Sequence, residues 1–339
     1  MNKLFDSEKY ARAASEAVEK AGVVCRAVQS RLDEVRAIAK DDKSPVTVAD
    51  FASQAVVVRV LRELLGDVRV VGEEGSAFLR DPDHAAHLGA TLNAVRIVWE
   101  GCDEAALLDA IDGGDAEPHA DGFWTLDPID GTKGFLRGGQ YAVSLAYISG
   151  GSPVVGALCC PNLSRDFGRS FDDPDPHGSL YVAARREGVR VQSAMGGDTE
   201  PVSMRRPGRE EGAPIRACES VESAHSDQSA SSRVLEIAGG AGEPARLDSQ
   251  CKYAVVARGQ ADAYLRLPTK KGYVERIWDH AAGALVAVEA GCVVTDIDGN
   301  LLDFGQGKGL EKNRGVVCAD PGVHSRLIGA IADIGSLRG

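Results

Sequence analysis

The stretch Trp124–Phe135, WTLDPIDGTKGF, sets two aspartates, a proline, a glycine and a threonine into six consecutive positions directly after a short apolar run. Asp, Pro and Gly all favour turns, so the segment taken alone reads equally as an exposed turn. The apolar lead-in predicts a strand, however, and Pro128 with Gly131 would bend the chain at its end. Both carboxylates, Asp127 and Asp130, and the intervening carbonyl of Ile129 can then face one spot. Hard divalent cations take such oxygen ligands, Mg²⁺ in particular one or two carboxylates plus water and phosphate oxygens.

Other acids fall at comparable places. Asp50 opens a helical segment, Glu73 and Glu74 follow the apolar VRVV, and Asp279 stands in WDHAAG where a helix begins. By position Asp50 and Asp279 serve equally as helix caps.

Around these points the chain divides into recognisable elements. Small apolar residues recur at helical spacing from Asp6 or Ser7 to about Ala39, as one long or two short amphipathic helices. FASQAVVVRVLRELLG (51–66) reads as a helix stopped by Gly66, and DVRVVGEEG (67–75) as a short strand. Residues 80–121 read as a helical insertion ending in a Gly/Asp-rich loop, and strands are expected near 141–148 and 153–159. The turn-rich 161–178 marks a boundary between an α+β subdomain, 1–165, and an α/β subdomain, 166–339. In the latter, SLYVAAR (179–185) and CKYAVVARGQADAYLRL (251–267) are expected as strands, HSDQSASSRVLEIAG and DHAAGALVAVEAG as helices.

Composition restricts the function classes. The chain has 339 residues, 44% of them hydrophobic, enough for a large core. No run approaches the ~18 apolar residues of a membrane span, and the charged start lacks a signal peptide's apolar centre, so a soluble, cytoplasmic protein with no membrane partner is expected. Net charge is −12 with 38 scattered Lys and Arg, which disfavours a nucleic-acid polymer as partner. Eight cysteines without CxxC or metal-ligand spacing are expected as reduced thiols, the pair Cys159 and Cys160 as apolar filling. FGQGKG (304–309) lacks the spacing of a phosphate-binding P-loop.

In combination, SPVTVAD, VGEEG, DPIDGTKGF and WDHAAG, in this order, resemble the inositol monophosphatase superfamily of metal-dependent, lithium-sensitive phosphatases, and within it most closely the 3'(2'),5'-bisphosphate nucleotidases. The resemblance runs from about residue 5 to 330 and implies a layered α/β/α/β/α sandwich of the inositol monophosphatase/fructose-1,6-bisphosphatase type. It implies two or three Mg²⁺ ions held by Glu73, Asp127, the Ile129 carbonyl, Asp130 and Asp279, with Asp50 and Thr132 activating the attacking water; Glu74 matches no direct ligand. It further implies nucleotide contacts from His225, Ser249, Lys252 and Arg266, with Thr132 and Asp279 also at the substrate. The expected activity is removal of the 3'-phosphate of adenosine 3',5'-bisphosphate, and of its 5'-phosphosulfate form, to leave the 5'-nucleotide, by a monomeric enzyme. An inositol phosphate phosphatase shares the same acids and is separated by the nucleotide contacts. A non-catalytic nucleotide sensor would be expected to have lost part of the acid set, which is intact here.

The chemistry accounts for the charges. Glu73, Asp127, Asp130 and Asp279 carry four negative charges, which two divalent ions would cancel, so an acidic chain can take up an anionic substrate once loaded.

Overall fold

The apolar stripe Ala13, Ala17, Val18, Ala21, Val24, Cys25 and Val28 forms the buried face of α1 (Ser7–Gln29), whose start is fixed by the Asp6 carboxylate accepting the Lys9 N–H. The computed structural model describes residues 5–32, 48–197, 200–221, 228–268, 270 and 272–335. The rest of the helical span expected to reach Ala39 lies outside them. Helix α2 (Val48–Leu65) is buried nearly all round over its first three turns, and it ends at Gly66, whose φ of 86° only a residue without Cβ adopts freely. Helices α1 and α2 pack on each other and on one face of a seven-stranded sheet.

That sheet runs β1 (Val70–Gly72), β2 (Phe123–Asp130), β3 (Ala142–Ser149), β4 (Ser152–Cys160), β5 (Ser179–Ala184), β6 (Gly188–Gln192) and β7 (Val202–Met204) in spatial order. Only β1 and β2 are parallel within it; the other neighbours are antiparallel. Between β1 and β2 the helices α3 (Ala77–Arg80), α4 (Ala85–Val95) and α5 (Glu104–Asp112) make up the expected insertion. The short α6 (Thr132–Leu136) follows β2 directly.

The second sheet combines β8 (Ala217–Glu219), β9 (Ala245–Arg246), β10 (Ala263–Arg266), β11 (Val293–Thr295) and β12 (Val316–Ala319) in the order β11-β12-β10-β8-β9. Between the two sheets lie α8 (Cys251–Ala257) and α9 (Ala281–Ala290), sharing one core with both. Outside the second sheet α7 (Gln228–Ala238) and α10 (Pro321–Ile334) close the last core. The result is the expected α/β/α/β/α sandwich. Among the described residues no helix is long and apolar enough to cross a membrane, and all eight cysteines are buried free thiols.

Two expectations need correction. Residues 161–178 join β4 to β5 inside one sheet, so the change of sheet comes after Met204 and not near residue 165. Turn-forming composition marks a loop but not which elements it connects. Cys251–Ala257 is a helix, not the first half of a strand; only Ala263–Arg266 is extended. Every residue of α8 is buried, so no polar face was left to display a helical period.

Candidate functional site

The site forms where β2 ends. Its register with β3 breaks between Asp127 and Asp130, since Pro128 has no N–H for the ladder. The Pro128 carbonyl accepts instead from the Ser53 hydroxyl of α2 at 2.8 Å. Gly131 then takes a φ of 88°, and a Cβ there would lie 2.9 Å from that of Ser249. Ser249 itself is left-handed at φ 68°, a conformation uncommon outside glycine, so the two loops meet back to back. Across this seam the Gln250 N–H donates to Asp130 Oδ2 at 2.5 Å. Gln250 also carries the next ligand loop, its amide donating to Ser144 Oγ and the Trp278 carbonyl, both at 2.8 Å, and accepting from the Gly283 N–H.

A cavity of about 330 Å³ opens on this seam. Asp130, Thr132, Ser249, Lys252, Arg266 and Asp279 line it, six residues expected from the sequence, together with Tyr264 and Tyr273, which were not. Lys252 is buried with its ammonium 5.2 Å over the Tyr264 ring, and the half-buried Arg266 donates from Nε to Glu275 at 2.9 Å. Neither is the solvated surface charge that exposed Lys and Arg usually are. His225 lies outside the described residues.

Behind and beside the cavity the acids converge. Burial raises the Asp127 carboxyl well above the usual range, and the charges of Glu73, Asp130, Asp279 and Asp50 raise it further. Desolvation, then Asp50 and Asp130, push Glu73 up to about 7, although the residue is exposed, so solvent screens part of the effect. Glu74 is pushed to about 8 by burial, Asp50 and Glu73. Asp279 rises to about 7, burial and the Asp130 and Glu73 charges outweighing His280 and Arg266. Asp130 is raised by burial against the pull of Lys252 and the Gln250 N–H. Asp50, 4% exposed, sits inside the first turn of α2 and not at its cap.

Such a set of oxygens calls for a cation. Asp127 Oδ1 is buried with no hydrogen-bond partner among the described residues, a state that costs several kcal/mol unless something positive meets it. All the donors are oxygen, which suits a hard divalent ion. The Ile129 carbonyl is 3.2 Å from the Thr132 hydroxyl that donates to it. Among the described residues, Glu275, Asp279 and His280 bring one ligand atom each within 4.8 Å of one another, a further group able to hold a metal. Asp279 is the member that also lines the cavity. Glu275 and His280 were missed in the sequence, where VERIWDH shows only charges flanking a motif.

The raised carboxyls predict how the cation-free protein responds to pH. Glu73, Glu74 and Asp279 hold protons in the folded state up to pH 7–8 that the unfolded chain releases near pH 4. Their stabilising contribution is complete below about pH 4 and is lost as pH rises through 7–8. In chelator, Tm is expected to fall by about 5 °C or more between pH 5 and 8.5, and millimolar Mg²⁺ should flatten the fall. Circular dichroism melts would check this; a Tm that rises over that range in chelator would contradict the convergence of acids.

The chain matches the inositol monophosphatase family over residues 6–336. It is 39% identical over 354 residues to the 3'(2'),5'-bisphosphate nucleotidase of Schizosaccharomyces pombe, covering 98% of this chain and 97% of that one. It is also 39% identical to the protein of that name in Oryza sativa, covering 95% and 93% of the two chains. Among solved structures it resembles CysQ from Bacteroides thetaiotaomicron, a bacterial member of the family, with a TM-score of 0.61, 25% identity and 94% and 99% coverage of the two chains. The inositol monophosphatase of Anabaena gives a TM-score of 0.61 at 19% identity, over 96% of each chain, and so speaks for the fold alone. With the motif order, the layered fold and the acidic site all in agreement, the chain belongs to the inositol monophosphatase family.

Proposed function

We propose that this protein is a metal-dependent phosphatase that removes the 3'-phosphate of adenosine 3',5'-bisphosphate, and of its 5'-phosphosulfate form, leaving the 5'-nucleotide. The observation that carries the reading is one cavity lined both by Asp130 and Asp279 of the buried acidic cluster and by the cations Lys252 and Arg266. The names of the relatives in fission yeast and rice support the same substrate class.

Two or three Mg²⁺ ions, held by Glu73, Asp127, the Ile129 carbonyl, Asp130 and Asp279, would polarise the scissile phosphate and lower the pKa of water beside it. Asp50 serves as the proton acceptor in this reading: the Thr132 hydroxyl, which donates here to the Ile129 carbonyl, would turn to Asp50, pass its proton to it and take one from the attacking water. Thr132 and Asp279 also contact the scissile end of the substrate. Ser249, Lys252 and Arg266 hold the phosphate that stays, with His225 assigned to the same nucleotide by resemblance. Lys252 suits this because burial lowers its affinity for a proton while Asp130 and Asp248 support the charge, so a phosphate dianion would find a poorly solvated ammonium. We further read the protein as a monomer in a reducing cytosol that does not bind nucleic-acid polymers, which sedimentation and a duplex-binding assay would check.

The test is phosphate release from adenosine 3',5'-bisphosphate and from inositol 1-phosphate, with Mg²⁺ and with chelator, and identification of the nucleotide product. A preference for inositol 1-phosphate, or full activity in chelator, would overturn the reading. Within the same assay Arg266→Ala is expected to raise KM for the bisphosphate by about 10- to 100-fold, the worth of a hydrogen bond to a charged group. The loss on inositol 1-phosphate, which lacks the second phosphate, should be at least about tenfold smaller. Equal losses would make Arg266 structural.

A further inference from the structure

A buried chain of contacts stands behind Arg266. Its Nε donates to Glu275 at 2.9 Å. The second Glu275 oxygen meets His280 Nε2 at 3.3 Å, and His280 Nδ1 hydrogen-bonds the Tyr253 hydroxyl at 2.8 Å. Glu275, His280 and Tyr253 are 5%, 1% and 0% exposed, so water does not compete for these groups. The Tyr253 ring in turn meets Tyr264 edge to face at 5.1 Å, and Tyr264 lies under the Lys252 ammonium.

We infer that Glu275 is a positioning residue for substrate selection, clamping the Arg266 guanidinium so that it presents a fixed edge to the phosphate that is not cleaved, and is itself held by His280 and Tyr253. The inference rests on the proposed bisphosphate reading. Arginine has a long side chain with several rotamers, and its planar fork discriminates between anions only when its plane is held. One Nε contact to a buried carboxylate supplies that constraint, since the fork can no longer rotate without giving up its bond to Glu275, which His280 holds from the other side. Glu275 touches no part of the substrate in this scheme; its effect passes through Arg266.

The experiment is a double-mutant cycle on full-length protein with Mg²⁺. Glu275→Gln is expected to raise KM for adenosine 3',5'-bisphosphate about tenfold with a much smaller change in kcat, and to affect inositol 1-phosphate hydrolysis several-fold less. Added to Arg266→Ala, it should raise KM no further. Should Glu275→Gln not fold, Tyr253→Phe, which deletes one oxygen at the far end of the chain of contacts, is expected to raise the same KM about two- to threefold. Calorimetric binding of adenosine 5'-phosphate to each variant gives a readout without turnover, and should weaken in parallel. Equal losses on both substrates, an unchanged KM, or an additive effect on top of Arg266→Ala would overturn the inference while leaving the function standing. A wild type that does not hydrolyse the bisphosphate would overturn both.

Discussion

Asp127→Asn is expected to lower turnover at saturating Mg²⁺ by about 10³-fold, since several kcal/mol of transition-state charge stabilisation depend on such a ligand. The fold should survive. The substitution is close to isosteric, and in the wild type the side chain is 3% exposed with one oxygen unpartnered among the described residues. It also suffers the repulsion of Glu73, Asp130, Asp279 and Asp50 after the cost of burial itself. Removing its charge relieves that repulsion, so in chelator the variant is expected to melt at the wild-type temperature or above it. With Mg²⁺ the wild type should gain several degrees and the variant much less. Asp130→Asn should act in the same direction, although Asp130 already accepts the Gln250 N–H and loses part of that bond. Activity within tenfold of wild type, measured at saturating Mg²⁺, would remove Asp127 from the metal site.

Asp50→Asn should reduce kcat by about 10²- to 10⁴-fold, the usual worth of a positioned general base, and differ from Asp127→Asn in what it spares. In the proposed role of proton acceptor for Thr132, Asp50 would not hold Mg²⁺, so the Mg²⁺-induced rise in Tm should persist in Asp50→Asn. Thr132→Val is expected to show the same pattern, with Thr132→Ser recovering much of the rate because it restores the hydroxyl. The hydroxyl donates to the Ile129 carbonyl, so the valine variant also leaves that oxygen without its donor. If Asp50→Asn abolished the Mg²⁺ effect on Tm as fully as Asp127→Asn, Asp50 would be a ligand and the base would have to be sought elsewhere.

What the sequence by itself determined was what depends on neighbours along the chain. The bend after β2 follows from Pro128, which cannot donate to a ladder, and Gly131, whose lack of a Cβ lets it take φ 88°; both effects act within a few residues. The start of α1 at Asp6 and the stop of α2 at Gly66 are capping effects of the same local kind. The order of the four motifs was equally legible, and the family resemblance it carries implied the layered sandwich.

Tertiary structure alone decided the rest, because burial and long-range charge are not written at any one position. Cys251–Ala257 is helical since it is enclosed between two sheets, where its apolar run carries no period to read. The first sheet continues through β7 because β5 finds β4 across the turn-rich 161–178. The carboxyls of Glu73, Asp127 and Asp279 are raised by burial and by the acids around them only because the first turn of α2, the ends of β1 and β2 and the residues just before α9 come together at one place. Lys252 and Arg266 left the class of surface charges for the same reason: one is buried against Tyr264, and the other is held by Glu275, which the sequence offers merely as one more acid.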